Sequence, residues 1–352
     1  MLPRMHTYGF INAYIRSRLG NLITQKLFSQ LEAAATVEEV TALLRTTSYH
    51  RELQLYSTTG DIRAVEFALT VHGIDTMKNI LSCLSSSHHR FAQALLMEHE
   101  VEVVKQALRF WFDRTVRGRR TGQMPEYLYR EVLVHNIDID LLINAERMTQ
   151  LHDAVKHTPY AQVFTDHLDL VPAEKQLFHL ELALDQLYFS VLREAVEAMP
   201  REDRKIGERV LALEVDLEQM MRIVRFTALY PPEQRKGWQV FLPGGTIAGQ
   251  VLDAAYAAQS PEDAFSILAA GCTSMTKDQG SPSRGDVYAK LSWVSSLIQE
   301  IQLEHARKLL TGNPFTVGSI LAYRVLMRHE INRLVSILNT RKGQPGSGGI
   351  AQ

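Results

Sequence analysis

Residues Gly244-Gly245-Thr246-Ile247-Ala248-Gly249-Gln250 carry the glycine spacing of a loop that wraps phosphates. Such a loop needs a lysine after its last glycine to reach the phosphates, then a hydroxyl to hold magnesium. Gln250 and Val251 stand in those places. The segment therefore predicts a glycine-rich entry into a helix, not a nucleotide cradle. Thirteen histidines raise the question of metal ligation. His88, His89 and His99 lie close in sequence, and His99-Glu100 opens like a zinc-protease helix. Val103 then stands where the second histidine ligand belongs. His152, His157 and His167 do not share a helical face with carboxylates. Surface and helix-end positions are expected for these histidines. Cys83, within Ile80-Leu81-Ser82-Cys83-Leu84, reads as a small core residue, and Cys272, after Gly271, as an exposed one. No flanking cation marks Cys272 as a reactive thiolate, and no Gly-x-Ser-x-Gly turn is present. No catalytic, cofactor-binding or metal-binding residue is assigned.

Charge narrows the partners. Lys and Arg number 38 against 39 Asp and Glu, for a net charge of -1. Bulk attraction to nucleic acid is not expected. The one basic cluster holds Arg114, Arg117, Arg119 and Arg120. It lacks interleaved aromatic residues for stacking on bases. It is a solvated linker or an edge facing anionic lipid headgroups. Two cysteines exclude a disulfide framework and suit a reducing compartment. No stretch approaches the ~20 apolar residues of a membrane span. The N-terminus, Met1-Leu2-Pro3-Arg4, lacks a charged-then-apolar signal. A protein that is soluble, or docks on a membrane without entering it, is expected.

The elements that must position these residues read as helices. No proline falls between Pro3 and Pro125, and later ones stand where helices begin or end. Phe91, Leu95, Val101, Val104, Leu108, Trp111 and Phe112 recur at helical spacing. Thr36-Val37-Glu38-Glu39 is a capping box. Ser260-Pro261-Glu262-Asp263 supplies a cap, a first-turn proline and two carboxylates at the positive end of the dipole. Asn313-Pro314 is expected to open the last helix. Its apolar stripe runs from Val317 through Leu338 and is interrupted by Arg324. The class expected is all-α.

A faint repeat organises the chain. Shifted by 224 positions, Leu22–Leu44 matches Thr246–Leu268: Ile23 meets Ile247, Thr36 meets Ser260 as the cap, and Leu44 meets Leu268. A shift of 111 lays Thr47-Ser48-Tyr49 on Thr158-Pro159-Tyr160 and Ala34 on Ala145, with Arg147 at the cap position. Three similar helical domains are expected at residues 1–118, 119–237 and 238–341. A tail over 342–352 has the glycine- and serine-rich composition of a disordered end. A stiff body without a catalytic constellation favours a scaffold or coupling element over an enzyme.

Several segments then carry a resemblance. Tyr8-Gly9-Phe10-Ile11-Asn12-Ala13-Tyr14-Ile15-Arg16-Ser17-Arg18 leads to Leu43-Leu44-Arg45-Thr46-Thr47-Ser48-Tyr49. Glu181-Leu182-Ala183-Leu184-Asp185-Gln186-Leu187-Tyr188-Phe189 and the run from Val215 to Arg225 stand in the middle. Asn313 to Tyr323 and Glu330 to Ile337 close the chain. In order and spacing these resemble the C subunit of the V-type and A-type ATP synthases, called the d subunit in eukaryotic vacuolar ATPases. Gln219 replaces an expected asparagine, and Asn332-Arg333 reverses the usual order. The resemblance implies a funnel of three all-α domains about a pseudo-threefold axis. It implies a non-catalytic rotor joint without cofactor, peripheral on the cytoplasmic face of a membrane. The implied partners are the rotor-ring subunits and the D and F subunits of the central shaft, in proton or sodium transport. Tyr8, Asn12, Arg16, Arg18, Tyr323, Glu330 and Arg333 are then the candidate contacts with neighbouring subunits, or else staples between helices. A helical scaffold unrelated to a rotary motor, or a metal-dependent enzyme using His88, His89 and His99, remain the alternatives.

Overall fold

The computed structural model describes residues 2–118, 125–235, 240–272 and 286–342. Among these the chain is all-α, with no strand. The first helices are α1 (Leu2–Gly20), α2 (Gln25–Ala33), α3 (Val37–Leu43), α4 (His50–Thr59) and α5 (Ile62–Ser82). The long α6 (His89–Thr115) precedes the short α7 (Ile139–Asn144), α8 (Met148–Val155), α9 (Tyr160–His167) and α10 (Leu170–Glu174). The long α11 (Phe178–Glu197) and α12 (Arg201–Leu229) follow. The chain ends with α13 (Pro232–Arg235), α14 (Gly249–Tyr256), α15 (Pro261–Gly271), α16 (Val287–Leu310) and α17 (Gly318–Lys342). The expected domain junctions at 118/119 and 237/238 border or fall on residues outside the described set, as does the tail beyond Lys342.

The caps form as the sequence predicts. Thr36 Oγ1 accepts from the Glu39 amide at 3.2 Å, and Glu39 returns a bond to the Ala35 amide at 2.7 Å. Ser260 Oγ accepts from the Asp263 amide at 3.1 Å. At Arg147 the side chain of Gln150 reaches back to the Arg147 amide at 3.0 Å instead. The last helix departs from expectation. It starts at Gly318 rather than at Asn313-Pro314. Asn313 Oδ1 is spent on the Phe315 amide and Thr316 Oγ1 on the Gly318 amide, which winds a turn before the helix begins.

Two main cores form. The larger gathers residues of α1 to α6 and α7 to α11 with one face of α17. The smaller is built from α12, α14, α15 and α16. α12 serves both: Val210, Leu211 and Val215 enter the first, while Leu217, Met220, Ile223 and Val224 enter the second. α17 packs on α16 and also on α5, α1 and α3, so the end of the chain covers its beginning. The cysteines reverse their expected places. Cys83 is exposed because it caps the end of α5, where its thiol turns back to the Asn79 carbonyl. Cys272 is buried in the smaller core.

Candidate functional site

A buried acid on each of α6, α12 and α17 recurs as the acceptor for the entry to a run of short helices. Glu330 of α17 accepts from the Ile23 amide at 2.6 Å. Glu100 of α6 accepts from the amides of Val134 and His135 at 2.8 and 2.7 Å. Asp216 of α12 accepts from the amides of Thr246 and Ile247 at 2.7 and 3.1 Å. Ile23, Val134 and Ile247 are the positions that the shifts of 111 and 224 bring together. Tyr49 donates its hydroxyl to Glu330 at 2.7 Å, as Tyr160 does to Glu100 at 2.8 Å. Thr47 and Thr158 make the same two local bonds ahead of those tyrosines.

The phosphate-loop glycines find their purpose here. Gly244 has φ of +102°, a left-handed conformation that glycine tolerates. A Cβ on Gly245 would collide with the Asp216 carboxylate. The loop hugs Asp216 closely enough for Thr246 to give it both its amide and its hydroxyl.

The three long helices meet at their starts. His88, at the head of α6, lies with Nε2 3.0 Å from Tyr8 Oη and 3.2 Å from Asp203 of α12. The other oxygen of Asp203 accepts from the Val317 amide ahead of α17 at 3.1 Å. Further along, Arg324 of α17 joins Glu98 of α6 at 2.7 Å and Glu214 of α12 at 2.9 Å. Arg328 adds a second bond to Glu98 at 2.6 Å. Arg324 is 5% exposed in its side chain, so the helices are tied by a charge cluster largely withdrawn from water.

Past this lock, clefts open along the same helices. One of about 370 Å³ is lined by Glu98, Glu102, Lys105, Asp185, Arg222 and Arg328, among others. A ladder of ion pairs crosses its wall. Lys105 of α6 reaches Asp185 of α11 at 3.0 Å, and Asp185 reaches Arg222 of α12 at 3.0 Å. Charged side chains share the cleft wall with apolar ones, Val101, Phe189, Met327 and Ile331 among them.

Electrostatics follow from this packing. Burial opposes ionisation of Glu98, but Arg324 and Arg328 overcome it and hold the carboxyl well below the usual carboxylate range. Such a group stabilises the fold above its unfolded pKa, about 4.3, and the contribution is lost as pH falls through the depressed folded value. Arg328→Gln removes one of the two cations and is expected to move acid unfolding to higher pH. A circular-dichroism titration checks this. An unchanged midpoint would mean that Arg324 alone sets the titration. Glu330 shifts the other way: burial raises it, against the bonds from Tyr49 and Ile23.

The candidate contact residues do not form one exposed surface. Tyr8, Tyr323 and Glu330 are buried, and burial pushes Tyr323 up to about 12. Arg333 bonds to Glu32 and Gln25 of α2 and lies 4.0 Å over the Phe28 ring. Arg18 stacks on Tyr14 and bonds to its hydroxyl at 2.8 Å. Asn12 is half-buried and Arg16 is exposed. Of the basic run, Arg114 donates to the Ala145 carbonyl at 3.0 Å, and Arg117 pairs with Asp113. Arg119 and Arg120 lie outside the described residues.

The sequence matches the ATP synthase (C/AC39) subunit family over residues 11–345. The chain belongs to that family. Curated relatives are named as the C subunit of A-type ATP synthases. The one from Methanocaldococcus jannaschii is 22% identical, over 96% of this chain and 84% of its own. Those from Pyrococcus horikoshii and Thermococcus onnurineus are 21% and 22% identical, each over 94% of this chain and 85% of their own. No helix among the described residues is long and apolar enough to cross a membrane.

Sequence reasoning missed the centre of the site. His88 was expected at a surface or helix end, and it does head a helix, yet it is 3% exposed because Tyr8 and Asp203 close over it. Glu98, Asp203 and Glu214 carried no signal as single residues, and Glu100 stood out only as part of a broken zinc-protease motif, not as the acceptor it is. Arg324 did carry one, as the lone charge inside an apolar stripe.

Proposed function

We propose that the chain is a non-catalytic central-stalk subunit of a rotary A/V-type ATP synthase. It acts as the socket that couples the membrane rotor ring to the central shaft, formed by the D and F subunits. The observation that carries this reading is the charge-locked convergence of α6, α12 and α17. Membership of the family and the relatives' names support it. A joint of this kind transmits torque. One elementary charge crossing 100 mV releases about 2.3 kcal/mol, and several such steps must pass through it for each ATP. Helices cross-tied by buried ion pairs resist twisting relative to one another, which suits that load.

In this reading the fold is three similar helical units about an approximate threefold axis. The triplicated acid acceptor supports it, as do the shared caps. The protein lies peripherally on the cytoplasmic side of the membrane. A tagged chain isolated from its own organism in mild detergent is expected to bring down the head subunits, the D and F shaft subunits and the membrane ring. A clean monomer at both low and high salt would remove the reading.

A further inference from the structure

Arg201, Lys205 and Arg209 recur every four residues at the start of α12, so they form one stripe along a single face of that helix. All three are exposed. Arg209 turns its Nε back to the Lys205 carbonyl at 3.2 Å, and none of the three makes an ion pair among the described residues. α16 packs on α12 and brings Arg307 and Lys308, in its last turn, to the same end of the molecule, where the Val317 amide meets Asp203. Burial first, then Arg209 and Lys308, push the His305 imidazole below its ordinary range, against Glu214. Cations of α12 and α16 thus act on one side chain.

The acids at this end do not cancel the stripe. Glu208 is met by Arg204 at 3.8 Å and Glu304 by Lys308 at 2.6 Å. Glu202 is exposed beside Arg201. Arg201, Lys205, Arg209 and Arg307 remain in excess of it. Like charges four residues apart destabilise a helix. Elsewhere in this chain exposed arginines have an acid at that spacing, as Arg117 has Asp113 and Arg193 has Glu197. The stripe therefore costs the fold stability and returns nothing within the chain. It stands on an outward helix face, which suits an extended anionic surface more than an enclosed small anion. No exposed large apolar residue stands within 201–209 to anchor a shaped protein partner.

We propose that Arg201, Lys205 and Arg209, with Arg307 beside them, rest on the headgroups of an anionic lipid surface. The inference rests on the membrane-peripheral part of the reading above. It moves the lipid-facing edge away from Arg114 and Arg117, which have partners within the chain. Each basic residue close to such a surface adds to binding, and salt screens the attraction.

The test sediments the full chain with vesicles of phosphatidylcholine alone, and of phosphatidylcholine mixed with phosphatidylglycerol, at two salt concentrations. The parent is expected to bind the anionic vesicles at low salt and to leave them at high salt. The combined variant Arg201→Gln, Lys205→Gln, Arg209→Gln is expected to weaken that binding by about tenfold or more. The variant Lys26→Gln, Arg45→Gln, Arg51→Gln, an equal charge change on exposed residues near α2 to α4, is the control and leaves binding unaltered. Because the stripe residues are exposed and repel one another, their variant is expected to melt no lower than the parent. Parent-like binding by the stripe variant, or an equal loss in the control, overturns the assignment. So does equal binding to both kinds of vesicle, or none to either. Capture by polyglutamate without capture by vesicles would give the stripe to an acidic protein and overturn the lipid surface. Co-purification from detergent tests the socket reading separately, so that reading can stand when this inference falls.

Discussion

Arg324→Met is expected to destabilise the protein by about 3–5 kcal/mol, the usual cost of breaking a buried ion pair from one side. The cost does not come from the lost attraction alone. Glu214 is 12% exposed in its side chain, and Arg324 is the cation that meets it. Without Arg324 its charge stays in a poorly solvated place, whereas Glu98 keeps Arg328. The combined variant Glu98→Gln, Glu214→Gln, Arg324→Met removes the stranded charge and should recover much of the loss. Denaturant midpoints at constant slope measure both. A loss below about 1 kcal/mol for Arg324→Met would mean that water solvates the cluster as it does a surface pair.

Glu100→Ala carries the second large effect. One carboxylate takes the amides of Val134 and His135, the His135 ring at 2.6 Å and the Tyr160 hydroxyl at 2.8 Å. Each buried donor left unmet costs about 1–3 kcal/mol, and neighbouring losses do not simply add. A total of about 3–5 kcal/mol is expected on that basis. Tyr160→Phe removes a single donor and leaves the acid its other partners, so about 1 kcal/mol is expected. Equal losses from the two variants would show that the tyrosine, not the acid, holds this junction.

The helical class was readable because it rests on local rules. Thr36 and Ser260 cap helices where their spacing to Glu39 and Asp263 says they should. The match of Tyr49 with Tyr160 was also sound: both donate to an acid on a long helix. The acids themselves were hidden. Glu330 is 281 positions from Tyr49, and Arg324 is 226 positions from Glu98. A single sequence records no such distances. His88 was hidden for the same reason, since only the fold shows that Tyr8 and Asp203 close over it. The resemblance singled out Tyr8 and Glu330, and the structure gives both of them partners within the chain.

The bond from Glu330 to the beginning of the chain also sets the timing of assembly. A ribosome adds about 5–20 residues each second, so Tyr49 waits roughly 15–60 s for its acceptor to be made. During synthesis α2 to α4 lack both the acid that satisfies them and the apolar face of α17 that covers them. A nascent chain halted short of residue 330 is therefore not a smaller version of this protein. It is an open one, with its first core still waiting for its last helix.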